Sequence, residues 1–229
     1  SFKFIVCNYI DYNDKITELY CDPGHSRIAT ILNKNKSITY DEIKKLGPNF
    51  PREILIVDPK NLNLDISQGL QGLSKYNKML KLADTVYQQF TRKGDSVRGV
   101  EEYISRNPNK IIDIQEFMDE GVVVCRHRSL LFKLLCDKEE IPCRLIRGSV
   151  FNLYGSFSIN HAWNVVNIDG TTYGIDIMNP NSSPDNRKYI INETEHRHYL
   201  MPQLFINEKD FKNYYASEGL KNIGNFNDI

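Results

Sequence analysis

The chain has 229 residues, 41% of them hydrophobic and 25% charged, which is enough to bury a sizeable core in one large domain or two small ones. Its 29 Lys and Arg balance 29 Asp and Glu, so no global charge excess argues for nucleic acid, an anionic membrane or an acidic substrate, and partner choice must come from local features. No run approaches the roughly 20 apolar residues that span a bilayer, and the opening SFKFIVCNYIDY lacks the long apolar core of a signal peptide, although a chain starting at Ser leaves room for an upstream leader or domain.

Residues 2–6 (FKFIV) and 54–57 (ILIV) are β-branched or aromatic runs that predict strands, the second bounded by Pro51 and Pro59. Between them SITYDEIKKLG reads as a short helix with Thr39 as cap, Glu42 three residues on and Gly47 as stop. From Leu73 to Phe90 the positions Leu73, Tyr76, Leu80, Ala83, Val86, Tyr87 and Phe90 follow the three-four spacing of an amphipathic helix. A second helix covers Ser96 to Ser105 and ends before Asn107-Pro108, because proline disfavours helical geometry in its predecessor. DIQEFMDEG forms a third, short one. In GVVVCRHRSLLFKLLCDKEEIPCRLIRG, Leu130, Leu131, Leu134 and Leu135 share one side of a helix running from about Cys125 to Asp137, which puts Cys125 in its first turn. Beyond Pro142 three strands follow, CRLIRGSV, HAWNVVNI and TTYGIDIM, with FNLYGSFSIN as a loop between the first two.

The Asp169-Gly170 pair is a hairpin signal, since a type I′ turn needs positive φ at both central residues. With those two as the turn, opposed positions sum to 339: Trp163 faces Asp176 and Met178 faces His161. His161 and Asp176 are then diagonal neighbours on one face, roughly 7–8 Å apart at the backbone, a gap that an imidazole and a carboxylate can close. Asp176 would hold the ring by one nitrogen, leaving the other to take a proton from a thiol. Cys125 supplies that thiol if its helix aims its N-terminus at the hairpin, where free amides and the macrodipole favour a thiolate and can donate to an oxyanion.

The order Cys at a helix start, then His and Asp on consecutive antiparallel strands, resembles the transglutaminase-like superfamily, relatives of papain-like cysteine enzymes. GVVVCRHRSLLFKLL, IPCRLIRG, HAWNVV and DGTTYGIDIMNP are most similar to the peptidase-like branch found beside plant ethylene-response-type kinases and in armadillo-repeat proteins, over about residues 113–181. The resemblance implies an α+β fold with the catalytic helix packed on an antiparallel sheet. It implies Cys125 as nucleophile, His161 as general base and acid, and Asp176 as the orienting carboxylate. The implied activity is acyl transfer at protein glutamine side chains, by a transglutaminase or deamidase. Proteolysis, or a silent binding module of the same fold, are the alternatives.

The chain departs from that pattern in two places: Arg126 follows the cysteine where transglutaminases carry an aromatic residue, and Asp119 stands near the position of papain's glutamine. The second oxyanion donor therefore stays open between Asn160 and Gln115. Asn160 and Trp163 are the expected substrate-binding residues, Trp163 being first a packing residue and a substrate platform only if partly exposed.

Taken singly, Cys125 could be a buried thiol, His161 a satisfied core histidine and Asp176 a hydrogen-bonded structural acid; only the combination argues for chemistry. Cys136, Cys143, Cys125 and His161 fit no zinc spacing, so neither metal nor organic cofactor is expected. His196 and His198 carry no assignment. Arg126, His127, Arg128, Arg144 and Arg147 are divided between a substrate role and salt bridges to acids such as Asp119 and Glu120.

Five cysteines, at positions 7, 21, 125, 136 and 143, are odd in number and not densely spaced, which favours a reducing, cytoplasmic setting. The Asn, Lys and Ile usage suits an AT-rich genome and raises the expectation of a pathogen protein delivered into a host cell to act on a host-cell protein. The expected partner is a protein or peptide substrate, with no nucleic acid and no membrane. The expected organisation is residues 1–95 as strands and helices packed on the core, 96–200 as the transglutaminase-like core and 201–229 as a C-terminal extension.

Overall fold

A computed structural model describes residues 2–4, 9–22, 30–31, 36–45, 52–64, 67–90, 97–151, 158–196, 198–200 and 204–205. In chain order its elements are β1 (Phe2–Phe4), β2 (Tyr9–Ile10), β3 (Tyr20–Asp22), β4 (Thr30–Ile31), β5 (Lys36–Ile38), α1 (Tyr40–Lys45), β6 (Ile54–Val57), α2 (Ser67–Leu70), α3 (Lys75–Gln89), α4 (Val97–Ser105) and β7 (Ile111–Asp113). There follow α5 (Ile114–Glu120), α6 (Cys125–Lys138), β8 (Cys143–Phe151), β9 (Ser158–Ile168), β10 (Thr171–Ile175), α7 (Glu193–His196), β11 (Tyr199–Leu200) and β12 (Leu204–Phe205). Cys7, the Gly47 stop, residues 152–157 and nearly all of 201–229 lie outside the described residues.

The described strands form two larger sheets. One is mixed, in the order β5-β1-β3-β6-β7; the other is antiparallel, β10-β9-β8-β11, with β2 also pairing with β8. The larger apolar cluster joins Ile10, Leu55 and Val57 of the first part of the chain to Phe117, Leu131, Val166 and Tyr189 of the second. The chain is α+β, and α6 packs on β8 and β9 of the antiparallel sheet, as expected.

The environment of α6 differs from the sequence expectation. The leucine stripe suggests one buried side, yet every residue from His127 to Asp137 is buried, polar ones included. A helix wrapped on all sides must satisfy its charges internally. Lys133 Nζ meets Asp137 Oδ1 at 2.8 Å and the Cys143 carbonyl at 2.9 Å, while Asp137 Oδ2 accepts the Ile16 amide at 2.8 Å. The segment before β3 is thereby stitched onto the helix. After Lys138 the chain leaves the helix through Glu140 at φ 56°, and Pro142 prevents any continuation.

The hairpin has the expected register. Thr171 pairs with Ile168 and Ile175 with Asn164, and the turn residues Asp169 and Gly170 hold φ of 51° and 87°. Strand β9 begins at Ser158, inside the stretch expected to be loop, because β8 runs on to Phe151 and pairs with it there. Conversely β10 stops at Ile175 rather than Met178. The Asp176 amide turns to the Tyr189 carbonyl, and the Asp176 carboxylate accepts the amides of Met178 and Asn179, bending the chain away from β9.

Candidate active site

The cysteine is delivered by a turn with unambiguous local chemistry. Asp113 caps α5 by accepting the Gln115 amide at 2.8 Å, and Glu116 returns a carboxylate to the Asp113 amide at 2.9 Å. Gly121, at φ 76°, ends the helix with its amide on the Phe117 carbonyl. The buried Val122, Val123 and Val124 then run straight into α6. Val124 has no capping hydroxyl; its own amide instead donates to His127 Nδ1 at 3.1 Å. Cys125 is the first residue of the helix, so its amide has no intrahelical acceptor.

The half-buried Cys125 meets His161 from β9. His161 Nε2 lies 2.7 Å from Asp176 Oδ2, which leaves Nδ1 for the thiol. Asp176 is itself held firmly: Tyr199 donates its hydroxyl to Oδ2 at 2.6 Å and the Asn179 side-chain amide donates to the same oxygen at 3.1 Å. Trp163 stacks beside His161 at 6.1 Å and meets Tyr199 edge-on at 5.2 Å, so the ring and its carboxylate are boxed by aromatic groups.

Burial pushes the Cys125 thiol up, but the His161 hydrogen bond and charge, the Ala162 amide and the Arg126 charge outweigh it and bring the thiol below its ordinary value. Burial pulls His161 down, yet the hydrogen bonds and charges of Asp176 and Cys125 raise it to about 10. Burial would raise Asp176, and His161, Tyr199 and Asn179 hold it lower instead. All three shifts run in the direction of one protonation state, thiolate, imidazolium and carboxylate. That is the state of an activated nucleophile.

Behind the cysteine sits an ion-pair network of the kind expected for Arg126 and His127, but built on Glu53. The carboxylate of Glu53, just before β6 and 0% exposed, receives Arg126 Nε at 2.9 Å and Nη2 at 2.6 Å, and His127 Nε2 at 2.9 Å. Burial would raise Glu53, but Arg126 and His127 hold it well below the usual carboxylate range. Burial keeps His127 low, consistent with a neutral ring that accepts from Val124 and donates to Glu53. Replacing Glu53 with Gln strands the Arg126 guanidinium beside Cys125. The expected loss is about 3–5 kcal/mol of stability, read from the urea midpoint. The stability that Glu53 contributes is present above the unfolded-state value of about 4.3 and is lost as pH falls through its lower folded value.

The arginines thus find other acids than Asp119 and Glu120. Arg126 pairs with Glu53, Arg147 with Asp22 through two hydrogen bonds, and Arg144 with Asp11, while Arg128 lies over the rings of Tyr87 and Phe90. Gln115 is engaged elsewhere: its oxygen accepts the Asn63 amide, its nitrogen donates to Asp119, and it does not line the cleft at Cys125. Trp163, 3% exposed, also stays out of the cleft wall, so its contact is with the imidazole and not with the open space. Asn160 lies on β9 opposite Ser149, and its side chain is outside the described residues. The cleft, about 210 Å³, is walled by Arg52, Cys125, Arg126, Arg147, Gly148, His161 and Ala162. No helix among the described residues is long and apolar enough to cross a membrane.

Residues missed from the sequence are Glu53, Asp22, Arg52, Asn179 and Tyr199. Only Asn179 carried a local signal, lying three residues after Asp176 in a position to close an Asx-type turn.

Over 56 residues the chain is 41% identical to the probable serine/threonine-protein kinase SIS8 of Arabidopsis thaliana, a match to 24% of this chain and 5% of that protein. Among solved structures, the periplasmic domain of TgpA from Pseudomonas aeruginosa is similar at 16% identity and a TM-score of 0.28, over 43% of this chain and 36% of that one. A candidate cysteine protease from Cytophaga hutchinsonii is similar at 20% identity and a TM-score of 0.26, over 63% of this chain and 53% of that one. The family model described as EDR1/CTR1/ARMC3, peptidase-like, matches residues 1–181, most of the sequence, and the chain belongs to that family.

Proposed function

We propose that this protein is a cysteine-dependent acyl-transfer enzyme in which Cys125 is the nucleophile, His161 the general acid and base, and Asp176 the residue that orients it. The observation that carries the reading is the imidazole of His161, hydrogen-bonded on one side to the thiol at a helix N-terminus and on the other, at 2.7 Å, to a buried carboxylate. The Cys125 thiolate attacks a carboxamide carbon, and the resulting oxyanion takes the Cys125 amide as one donor. The His161 imidazolium gives its proton to the departing nitrogen as the tetrahedral intermediate collapses to a thioester. His161, now neutral, deprotonates an incoming amine or water, which attacks the thioester and releases Cys125.

We favour a protein glutamine side chain as acyl donor, in keeping with the transglutaminase-like resemblance. Transfer to an amine crosslinks and transfer to water deamidates. A second reading, peptide hydrolysis, has support in the peptidase-like description of the family. The chemistry needs a reduced thiol, which suits the reducing, cytoplasmic setting argued from cysteine usage, and it needs no metal or organic cofactor. Incubation with a glutamine-containing protein and a primary amine separates the outcomes. Conjugate or released ammonia identifies glutamine chemistry, and new peptide termini without ammonia identify a protease. None of these, beside a Cys125 no more reactive than the other cysteines, leaves a binding module and sinks the enzyme reading.

A further inference from the structure

The cleft in front of Cys125 has a one-sided wall: among the described residues Arg52, Arg126 and Arg147 line it together with Gly148, Ala162 and His161, and no acid among them does. The carboxylates that pair with these arginines, Asp22 and Glu53, are buried, 1% and 0% exposed, and sealed from the open space. Arg126 spends two of its donors on Glu53, and Arg147 makes two hydrogen bonds to Asp22. Arg52 is held more loosely. Its contact with Asp22 is 3.6 Å long, and its buried Nε has no hydrogen-bond partner among the described residues. Burial draws Arg52 down to about 10 despite Asp22, and the charges of Arg126 and Arg147 add to the drop. Among the described residues Arg52 is thus a cation of this wall with a donor to spare, and a carboxylate entering the cleft would find it.

We propose that this wall recognises a carboxylate on the acyl donor, close to the carbonyl that Cys125 attacks, with Arg52 as the specificity-determining residue. A guanidinium fork matches a carboxylate by two parallel N–H···O bonds, and Gly148, having no side chain, keeps the approach open. The carboxylate has two sources of identical chemistry, an acidic side chain beside the reacting residue or a free chain terminus. The inference rests on Cys125 being the activated nucleophile of the reading above.

Both ideas are read by alkylating the full chain with two reagents of similar size, iodoacetamide, which is neutral, and iodoacetate, which carries the carboxylate. Fast iodoacetamide labelling of Cys125 relative to Cys21, Cys136 and Cys143 reports the activated thiolate. The ratio of iodoacetate to iodoacetamide rates reports the wall. In Arg52→Gln the iodoacetate rate is expected to fall about tenfold, the lower end of what local charge does to counter-ion capture, with the iodoacetamide rate within about twofold of the parent. That comparison separates Arg52 from the imidazolium, which the variant retains.

Fast iodoacetamide labelling with an unchanged ratio overturns the carboxylate inference alone. Slow iodoacetamide labelling overturns the nucleophile reading and this inference with it. Protection of the parent protein against iodoacetamide by dipeptides needs no variant and identifies the source. Protection by an amidated dipeptide with a glutamate side chain points to an acidic neighbour, and protection by a neutral dipeptide with a free carboxyl end points to a chain terminus. Equal protection by an amidated neutral dipeptide overturns the inference.

Discussion

Changing Cys125 to Ala is expected to lower turnover of any acyl donor by about a millionfold, the scale at which removing one member of a nucleophile–base unit disables the whole. The fold should barely respond. The side chain is half-buried and small, at the start of a helix otherwise anchored by His127, Arg126 and Leu130, so the stability change is expected within about 1 kcal/mol. Activity is measured as ammonia or new amine released, and stability as the urea midpoint of the same preparation. A variant that loses activity and stability together would mean that the thiol serves packing, the buried-cysteine alternative.

The second large effect belongs to Asp176. Asp176→Asn keeps the size of the side chain but turns one of its two acceptor oxygens into an N–H donor and removes the charge that Tyr199, Asn179 and His161 share. Turnover is expected to fall by about ten-thousandfold, as when an orienting carboxylate is neutralised and the imidazole tautomer is wrong. The pH profile moves in a defined direction. In the parent, His161 is raised to about 10 by its partners against the effect of burial, so the protonated ring that donates to the leaving nitrogen is present below that value and lost as pH rises through it. With Asp176 neutral, burial of His161 is opposed by Cys125 alone. The alkaline limb of kcat/KM is then expected well below pH 10. An unchanged limb would show that the carboxylate does not support the imidazolium.

The part of this site that could be read from sequence is the part governed by short-range rules. The Asp169-Gly170 turn sets the register of β9 on β10 because only a few residues accept positive φ, and register in a hairpin fixes which side chains share a face. That arithmetic brings His161 and Asp176 within reach of each other without any coordinates. It does not foresee that Asp176 leaves the strand to accept two backbone amides, so the observed 2.7 Å contact comes from a turn beside the hairpin rather than from a diagonal pair within it. The apolar stripe locates α6 but not its burial on every side, since periodicity reports where leucines are and not what covers Lys133 and Asp137.

Glu53, Asp22 and Arg52 reach the cysteine across more than seventy residues of chain. Sequence spacing carries no trace of such pairings, because charged residues before or at the end of an apolar strand look like ordinary strand boundaries. The family match covers these early residues as well as the motifs near residue 113. The early strands carry the acids that anchor Arg126 and Arg147, and they share one apolar core with α6.

The most direct test of the Cys125–His161–Asp176 arrangement is the pH dependence of iodoacetamide alkylation at Cys125, followed by mass spectrometry in the parent and in His161→Ala. The parent is expected to reach its full rate well below the ordinary thiol value of about 8.5. His161→Ala is expected to move the midpoint up into or above that ordinary range, because burial then acts on the thiol without the imidazolium to oppose it. Coincident midpoints near 8.5 in both proteins would mean that sulfur and imidazole do not share a proton, and would contradict the account.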